Sequence, residues 1–286
     1  MGIQRSTWSF GWPLAAIIAL TAAAWFTGGH ALAQQQPRAL PTFAVDRSWP
    51  KVPDQYKLGD ISSVAIDAQD NAYVLHRPRT LKADNAASAA PAVVVFDPDG
   101  SFIKAWGGPG PNYEWVEREH GIHIDHSFKR TWGAFGKPPG GKDNCAIARL
   151  TEFAPGDGLP DFNVAHSIRV SNDGTVYLAD RENRRVQMFS SDGKFVKQLR
   201  HTAAPFAANL AFSPDPEQQF LYVGGGKAIT IVDRKTLEVL GQVQEEGQLG
   251  GGHHIATDSK GNLYIAQTTA GMQRLMFKGL SAPAVR

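Results

Sequence analysis

The chain has 286 residues and a formal net charge of +2, so neither nucleic acid nor an anionic lipid surface is its main partner. Cys145 is the single cysteine, which excludes an intrachain disulfide. Glycine (29) and proline (18) are frequent, as in turn-rich β proteins, and the length suits one large all-β domain.

Residues 1–33 read as a secretory signal peptide. Arg5 gives a short positive start, Leu14 to Phe26 is apolar, and Ala31-Leu32-Ala33 supplies an A-x-A cleavage site. The apolar run is short for a membrane span. The expectation is an exported chain, secreted or periplasmic, with no stable membrane insertion after cleavage. Residues 34–57 form an N-terminal segment in which Thr42 to Asp46 reads as a strand that closes a ring. Residues 58–280 carry the repeats described next, and 281–286 form a tail.

Three stretches share one pattern: ISSVAIDAQDNAYVLHR from Ile61, VAHSIRVSNDGTVYLADR from Val164 and GGHHIATDSKGNLYIAQ from Gly251. Each is an alternating apolar strand, a polar turn ending in Gly or Asn, and a second apolar strand. A second pattern recurs in AVVVFDPDGSFIKAWGG from Ala92, RVQMFSSDGKFVKQLR from Arg185 and AITIVDRKTLEVLGQ from Ala228. Asp99-Gly100, Asp173-Gly174 and Asp192-Gly193 are tight hairpin turns. One unit is therefore four antiparallel strands. Such a sheet cannot cover its own apolar faces and stacks radially, which predicts an all-β β-propeller. The repeats resemble NHL-type units; WD40 is the runner-up, but no Gly-His…Trp-Asp signature occurs. Complete blades are expected at about Gly59–Gly107, His166–Arg200, Ala207–Val243 and Gly251–Phe277. The last is short, hence the ring-closing role of Thr42 to Asp46.

The stretch GIHIDHSFKRTWGAFG, Gly121 to Gly136, starts as a first strand and ends like the fourth-strand sequence FIKAWGGPG. A six-bladed design would need the rest of one blade and most of the next at Ser127–Phe128; the chain reads either as a strained five-membered ring or as a deleted or misassembled reading of a longer gene. The chain thus holds about four complete blades and one hybrid, with a long loop at Cys145 to Pro160.

In three units a histidine stands two positions before the first-strand Ile: His120, His166 and His253; Ser62 and Ala208 hold the equivalent places. Equivalent positions on innermost strands face one another around the axis. Three neutral imidazoles with a fourth position open form a catalytic-zinc arrangement. Arg77 follows Ser62, and Arg181 follows His166, by the same fifteen residues. Two guanidinium groups at one rim suit a substrate carboxylate. The plainer readings are turn-capping or channel-packing histidines and surface ion pairs for the arginines. His123, His126 and His254 fall off the register and read as solvent-facing or supporting groups, as does His76. Asp180 and Glu182 read as blade-to-blade hydrogen-bond partners, and Trp106 and Trp132 as core.

Several of these stretches, AHSIRV…LADRENRRVQMF (Ala165 to Phe189), EREHGIHIDH (Glu117 to His126), VLHRP (Val74 to Pro78) and GHHIATD (Gly252 to Asp258), resemble the peptidyl-α-hydroxyglycine α-amidating lyase family and its secreted bacterial NHL-repeat relatives. The resemblance runs from about Phe43 to Gly279, broken at the join. It implies a six-bladed propeller with zinc on His120, His166 and His253. It also implies a structural calcium held through backbone carbonyls near Val64, Ile122 and His254. The implied reaction cleaves a peptidyl-α-hydroxyglycine into a peptide amide and glyoxylate, with Arg77 and Arg181 holding carboxylate charge. The family's proposed base is a tyrosine in an Asp-Gly-Tyr turn, which this chain lacks. Loss of a general base costs about 10²–10⁴ in rate. Two other functions stand beside the lyase: a non-catalytic propeller that binds a peptide or protein partner, and a calcium-dependent lactonase-like hydrolase. Histidines at the axial positions, in place of acidic side chains, count against the hydrolase.

Overall fold

The structure is a computed structural model that describes residues 38–108, 161–200 and 207–281. The join at Ser127–Phe128 and residues His120, Ile122, His123, His126, Trp132 and Cys145 lie outside them, as does the segment 1–33 expected to be a signal peptide.

The described residues form a β-propeller of four four-stranded antiparallel sheets. The first sheet holds β2 (Asp60–Ile66), β3 (Ala72–Arg77), β4 (Val93–Phe96) and β5 (Phe102–Trp106). The second holds β6 (Ala165–Val170), β7 (Val176–Asp180), β8 (Arg185–Phe189) and β9 (Phe195–Arg200). The third holds β10 (Asn209–Phe212), β11 (Phe220–Gly225), β12 (Ala228–Asp233) and β13 (Val239–Val243). In the fourth, β14 (His254–Thr257), β15 (Leu263–Gln267) and β16 (Gly271–Ser281) are completed by β1 (Leu40–Asp46), which pairs antiparallel with β16 from Leu40↔Ser281 to Asp46↔Arg274. The two ends of the described chain therefore meet in one blade.

The inner strands β6, β10, β14 and β2 lie side by side in that order. Hairpin chemistry accounts for the spacing within blades. Gly174 takes φ +80° in the β6–β7 turn, a conformation open to glycine at no steric cost. In the turn between β14 and β15, Asp258 Oδ1 accepts the N–H groups of Lys260 and Asn262 at 3.0 and 2.9 Å.

Both faces of each blade are apolar, and the core lies between blades. Tyr177, Val186, Leu210, Leu221 and Val232 join the second and third blades. Phe43, Tyr222, Ile229, Ile255, Ile265 and Leu275 join the third and fourth. Trp49, Val64, Val94, Phe96 and Tyr264 join the fourth to the first, with the Trp49 and Tyr264 rings edge-on at 4.9 Å. Trp106 does not belong to this core: it is 41% exposed and packs edge-on against Tyr73 at 5.9 Å. It ends the outermost strand, where one face of the sheet meets solvent.

Polar clamps supplement the packing. Arg234, after β12, forms a bidentate pair with Asp173 in the β6–β7 turn, at 3.1 and 2.8 Å, and accepts the Tyr177 hydroxyl on its carbonyl at 3.0 Å. Arg234 holds the Asp173 carboxyl far below its ordinary value of 3.8. A depressed folded-state pKa contributes stability that is present above the ordinary value and lost as pH falls. Asp173 is half exposed, so solvent weakens the pair. Thermal melts taken from about pH 5 down to about pH 2 are expected to fall less steeply for Asp173→Asn than for wild type. Parallel curves would show that this clamp adds nothing.

Candidate functional site

Each of the four described inner strands begins with the same irregularity. In the first blade Ile61 pairs with His76 and Ser63 with Leu75, leaving Ser62 extra; in the second Ala165 pairs with Asp180 and Ser167 with Ala179, leaving His166 extra. In the third, Ala208 N–H donates to Gly224, which already pairs with Asn209. In the fourth, His253 N–H donates to Ala266, which already pairs with His254. An extra residue of this kind bends the strand and re-aims its side chain. Positions 62, 166, 208 and 253 are thus equivalent in three dimensions. Gly252 sets up the last of them: its φ is +75°, and a Cβ there would meet Ile265 Cγ2 at 2.9 Å.

The structure brings His166 and His253 together, with ring centres 4.8 Å apart and planes at 84°. His166 Nδ1 bonds the Ala208 carbonyl at 2.5 Å, and His253 Nδ1 bonds the Ser62 carbonyl at 2.9 Å. Each histidine therefore reaches the equivalent position of the neighbouring blade. A carbonyl only accepts, so Nδ1 carries the proton and, in the neutral ring, Nε2 carries the lone pair. That tautomer, held by a backbone carbonyl, is the usual preparation of a metal-ligating histidine. Two imidazoles on one tetrahedral zinc, with Zn–N about 2.0–2.1 Å, have ring centres about 5 Å apart. The observed spacing fits zinc. The third expected ligand, His120, lies outside the described residues, and no group of three or more His, Cys, Asp or Glu able to hold a metal occurs among them.

Calcium fares differently. His254 lies enclosed beside the pair; its Nε2 is 3.2 Å from Arg169 Nη2, and the Val64 carbonyl faces its ring. Burial first, then the charge of Arg169, holds His254 well below the ordinary imidazole value of 6.5, so it is neutral and accepts from the guanidinium. Calcium takes six to eight oxygen ligands, carboxylates among them. Here the charged neighbour of Val64 and His254 is a cation, and these residues do not fit calcium.

Arg77 ends β3 and pairs with Asp60, while Arg181 follows β7 and its N–H donates to Val164, so the two occupy equivalent places in their blades. Both are partly exposed. Arg181 Nε donates to Glu182 Oε1 at 2.9 Å. Asp180, read from sequence as a partner between blades, works inside its own. Its carboxylate accepts Arg185 Nε at 2.8 Å, Asn183 Nδ2 at 2.7 Å and Asn163 N–H at 2.7 Å, and both Asp180 and Arg185 are fully buried. His76 is also buried, not solvent-facing: Nδ1 accepts Gly59 N–H at 3.1 Å and Nε2 donates to the Pro91 carbonyl at 2.9 Å, tying two strand starts together. Arg169 was missed by the sequence reading altogether.

A model of the NHL repeat matches residues 162–189, which span β6 to β8 and include His166 and the Asp180–Arg185 lock. The chain carries an NHL repeat. NHL repeat-containing protein 3 of Mus musculus is 25% identical over 210 residues, 53% of this chain and 58% of that protein. The Homo sapiens protein of the same name is 24% identical over 213 residues, 52% and 57%. The chain thus spans little more than half the length of these NHL-repeat relatives. Among solved structures, hydrazine synthase of Kuenenia stuttgartiensis matches with a TM-score of 0.32 and 15% identity over 42% of this chain and 37% of that one. Virginiamycin B lyase from Staphylococcus aureus matches with 0.36 and 11% identity over 85% and 75%. Neither likeness bears on the chemistry of the NHL-repeat chain.

Proposed function

We propose that this protein is a secreted NHL-repeat propeller that binds zinc through His166, His253 and His120 and acts on a carboxylate-bearing peptide in the manner of an amidating lyase. The observation that carries the reading is the pair His166–His253, each imidazole fixed in its tautomer by a carbonyl of the adjoining blade. Zinc bound there supplies Lewis acidity and lowers the pKa of a coordinated hydroxyl. Arg77 and Arg181 hold the substrate carboxylate and orient the peptide. The lyase reaction would yield a peptide amide and glyoxylate.

A second reading, peptide binding without turnover, is favoured by the tyrosines. Tyr177, Tyr222 and Tyr264 are buried in the core, and burial raises the pKa of each hydroxyl, the wrong direction for a base. Tyr177 and Tyr264 also spend their hydroxyls on Arg234 O and Asp258.

Purified protein is expected to retain about one zinc per chain by elemental analysis, with His166→Ala and His253→Ala each losing at least about 10-fold in zinc affinity. Unchanged metal content in both variants would end the zinc reading. Glyoxylate release from a peptidyl-α-hydroxyglycine then separates the two functions: release supports the lyase, and zinc with peptide binding but no release supports the binder.

A further inference from the structure

Arg169 sits on β6, three residues beyond His166 and so about 10 Å further along the inner strands. Its Nη1 donates to the Ile168 carbonyl at 2.9 Å and its Nη2 approaches His254 Nε2 at 3.2 Å. No carboxylate partners it among the described residues. A guanidinium has five N–H donors, so three remain. Arg169 lines a cavity of about 260 Å³, together with Val64, Ile66, Phe212, Gln218 and Thr257. None of the described residues lining this cavity is acidic. Most of the other lining residues come from the later halves of the inner strands, while the Arg169 guanidinium also reaches His254, the neighbour of His253.

A partly buried cation without a counter-charge carries a desolvation cost, and an anion that enters relieves it. One guanidinium matches one negative charge, and its planar donors fit a carboxylate in two parallel hydrogen bonds. Val64, Ile66 and Phe212 offer an apolar side to a short alkyl chain, while Ser213, Gln218 and Thr257 line the cavity with neutral polar groups that do not match the second charge of a phosphate.

We propose that the cavity beyond Arg169 is a binding site for a small aliphatic monocarboxylate, with its oxygens on the guanidinium and its carbons against Val64, Ile66 and Phe212. The site is separate from the rim arginines Arg77 and Arg181, and its existence does not depend on the lyase reading.

Isothermal titration with sodium butyrate tests it, with chloride and inorganic phosphate as comparison anions. Wild type is expected to bind butyrate saturably, and with the rim carboxylate site removed in the double variant Arg77→Met, Arg181→Met one site per chain should remain. Arg169→Met should weaken it at least about 10-fold, and Arg169→Lys several-fold, because lysine keeps the charge but not the planar fork. Arg77→Met and Arg181→Met should leave it intact, and zinc content should be unchanged in every variant. No saturable butyrate heat in wild type, a preference for phosphate, or loss of binding in Arg181→Met in place of Arg169→Met would overturn the proposal. Should Arg169→Met fail to fold by circular dichroism, undiminished butyrate affinity in Arg169→Lys would do the same.

Discussion

Arg185→Met is expected to lower the unfolding free energy by about 3–5 kcal/mol, because it leaves the buried Asp180 charge without its partner. Both side chains are inaccessible to solvent. Asp180 would keep only neutral donors, Asn183 Nδ2 and Asn163 N–H. Arg185 Nη2 also donates to the Asp161 carbonyl at 3.0 Å, so the variant frees the segment that leads into β6 and His166. Urea unfolding gives the magnitude. The double variant Asp180→Leu, Arg185→Met is expected to lose less than the sum of its single changes, since no orphan charge remains. A loss below about 1 kcal/mol in Arg185→Met would show that water reaches and solvates the pair.

The second large effect concerns the strand that closes the last blade. Phe43→Ala is expected to cost about 3–5 kcal/mol, the usual range for deleting a buried phenyl ring. Phe43 is 6% exposed and touches rings on two sides, Tyr222 of the third blade edge-on at 5.9 Å and Phe277 of its own sheet at 5.9 Å. It therefore fastens β1 to both β16 and the neighbouring blade. Phe43→Leu, which keeps most of the volume, is expected to cost about 1 kcal/mol. Equal costs for the two variants would mean that the ring contacts carry the whole effect and that bulk alone contributes nothing; no cost in Phe43→Leu would mean the reverse.

The blade architecture was legible because one rule repeats. Alternating strands, Asp-Gly turns and the recurring spacing of His166 and His253 report local chemistry that each blade satisfies separately, and the offsets read from sequence became equivalent bulges in the structure. What stayed hidden depends on how blades meet. Arg169 is more covered than its neighbours Ile168 and Val170, which are 50% and 60% exposed, the reverse of what hydropathy suggests for an inner strand. The one cue was a charge inside HSIRV, and nothing local says which way it turns. His254 likewise fell off the register, yet Arg169 from another blade encloses it. The stretch LADRENRR drew notice as a family signature. In the structure Asp180, Asn183 and Arg185 are a fold lock, so the signature reports scaffold more directly than chemistry.

The bulge at the head of every inner strand has an evolutionary consequence. Ser62 and Ala208 already occupy the backbone niche that presents His166 and His253, so a donor atom can be gained or lost there by a point change without rebuilding any loop. A scaffold of this kind can change how many donor side chains stand at its strand starts while the sheets around them stay the same.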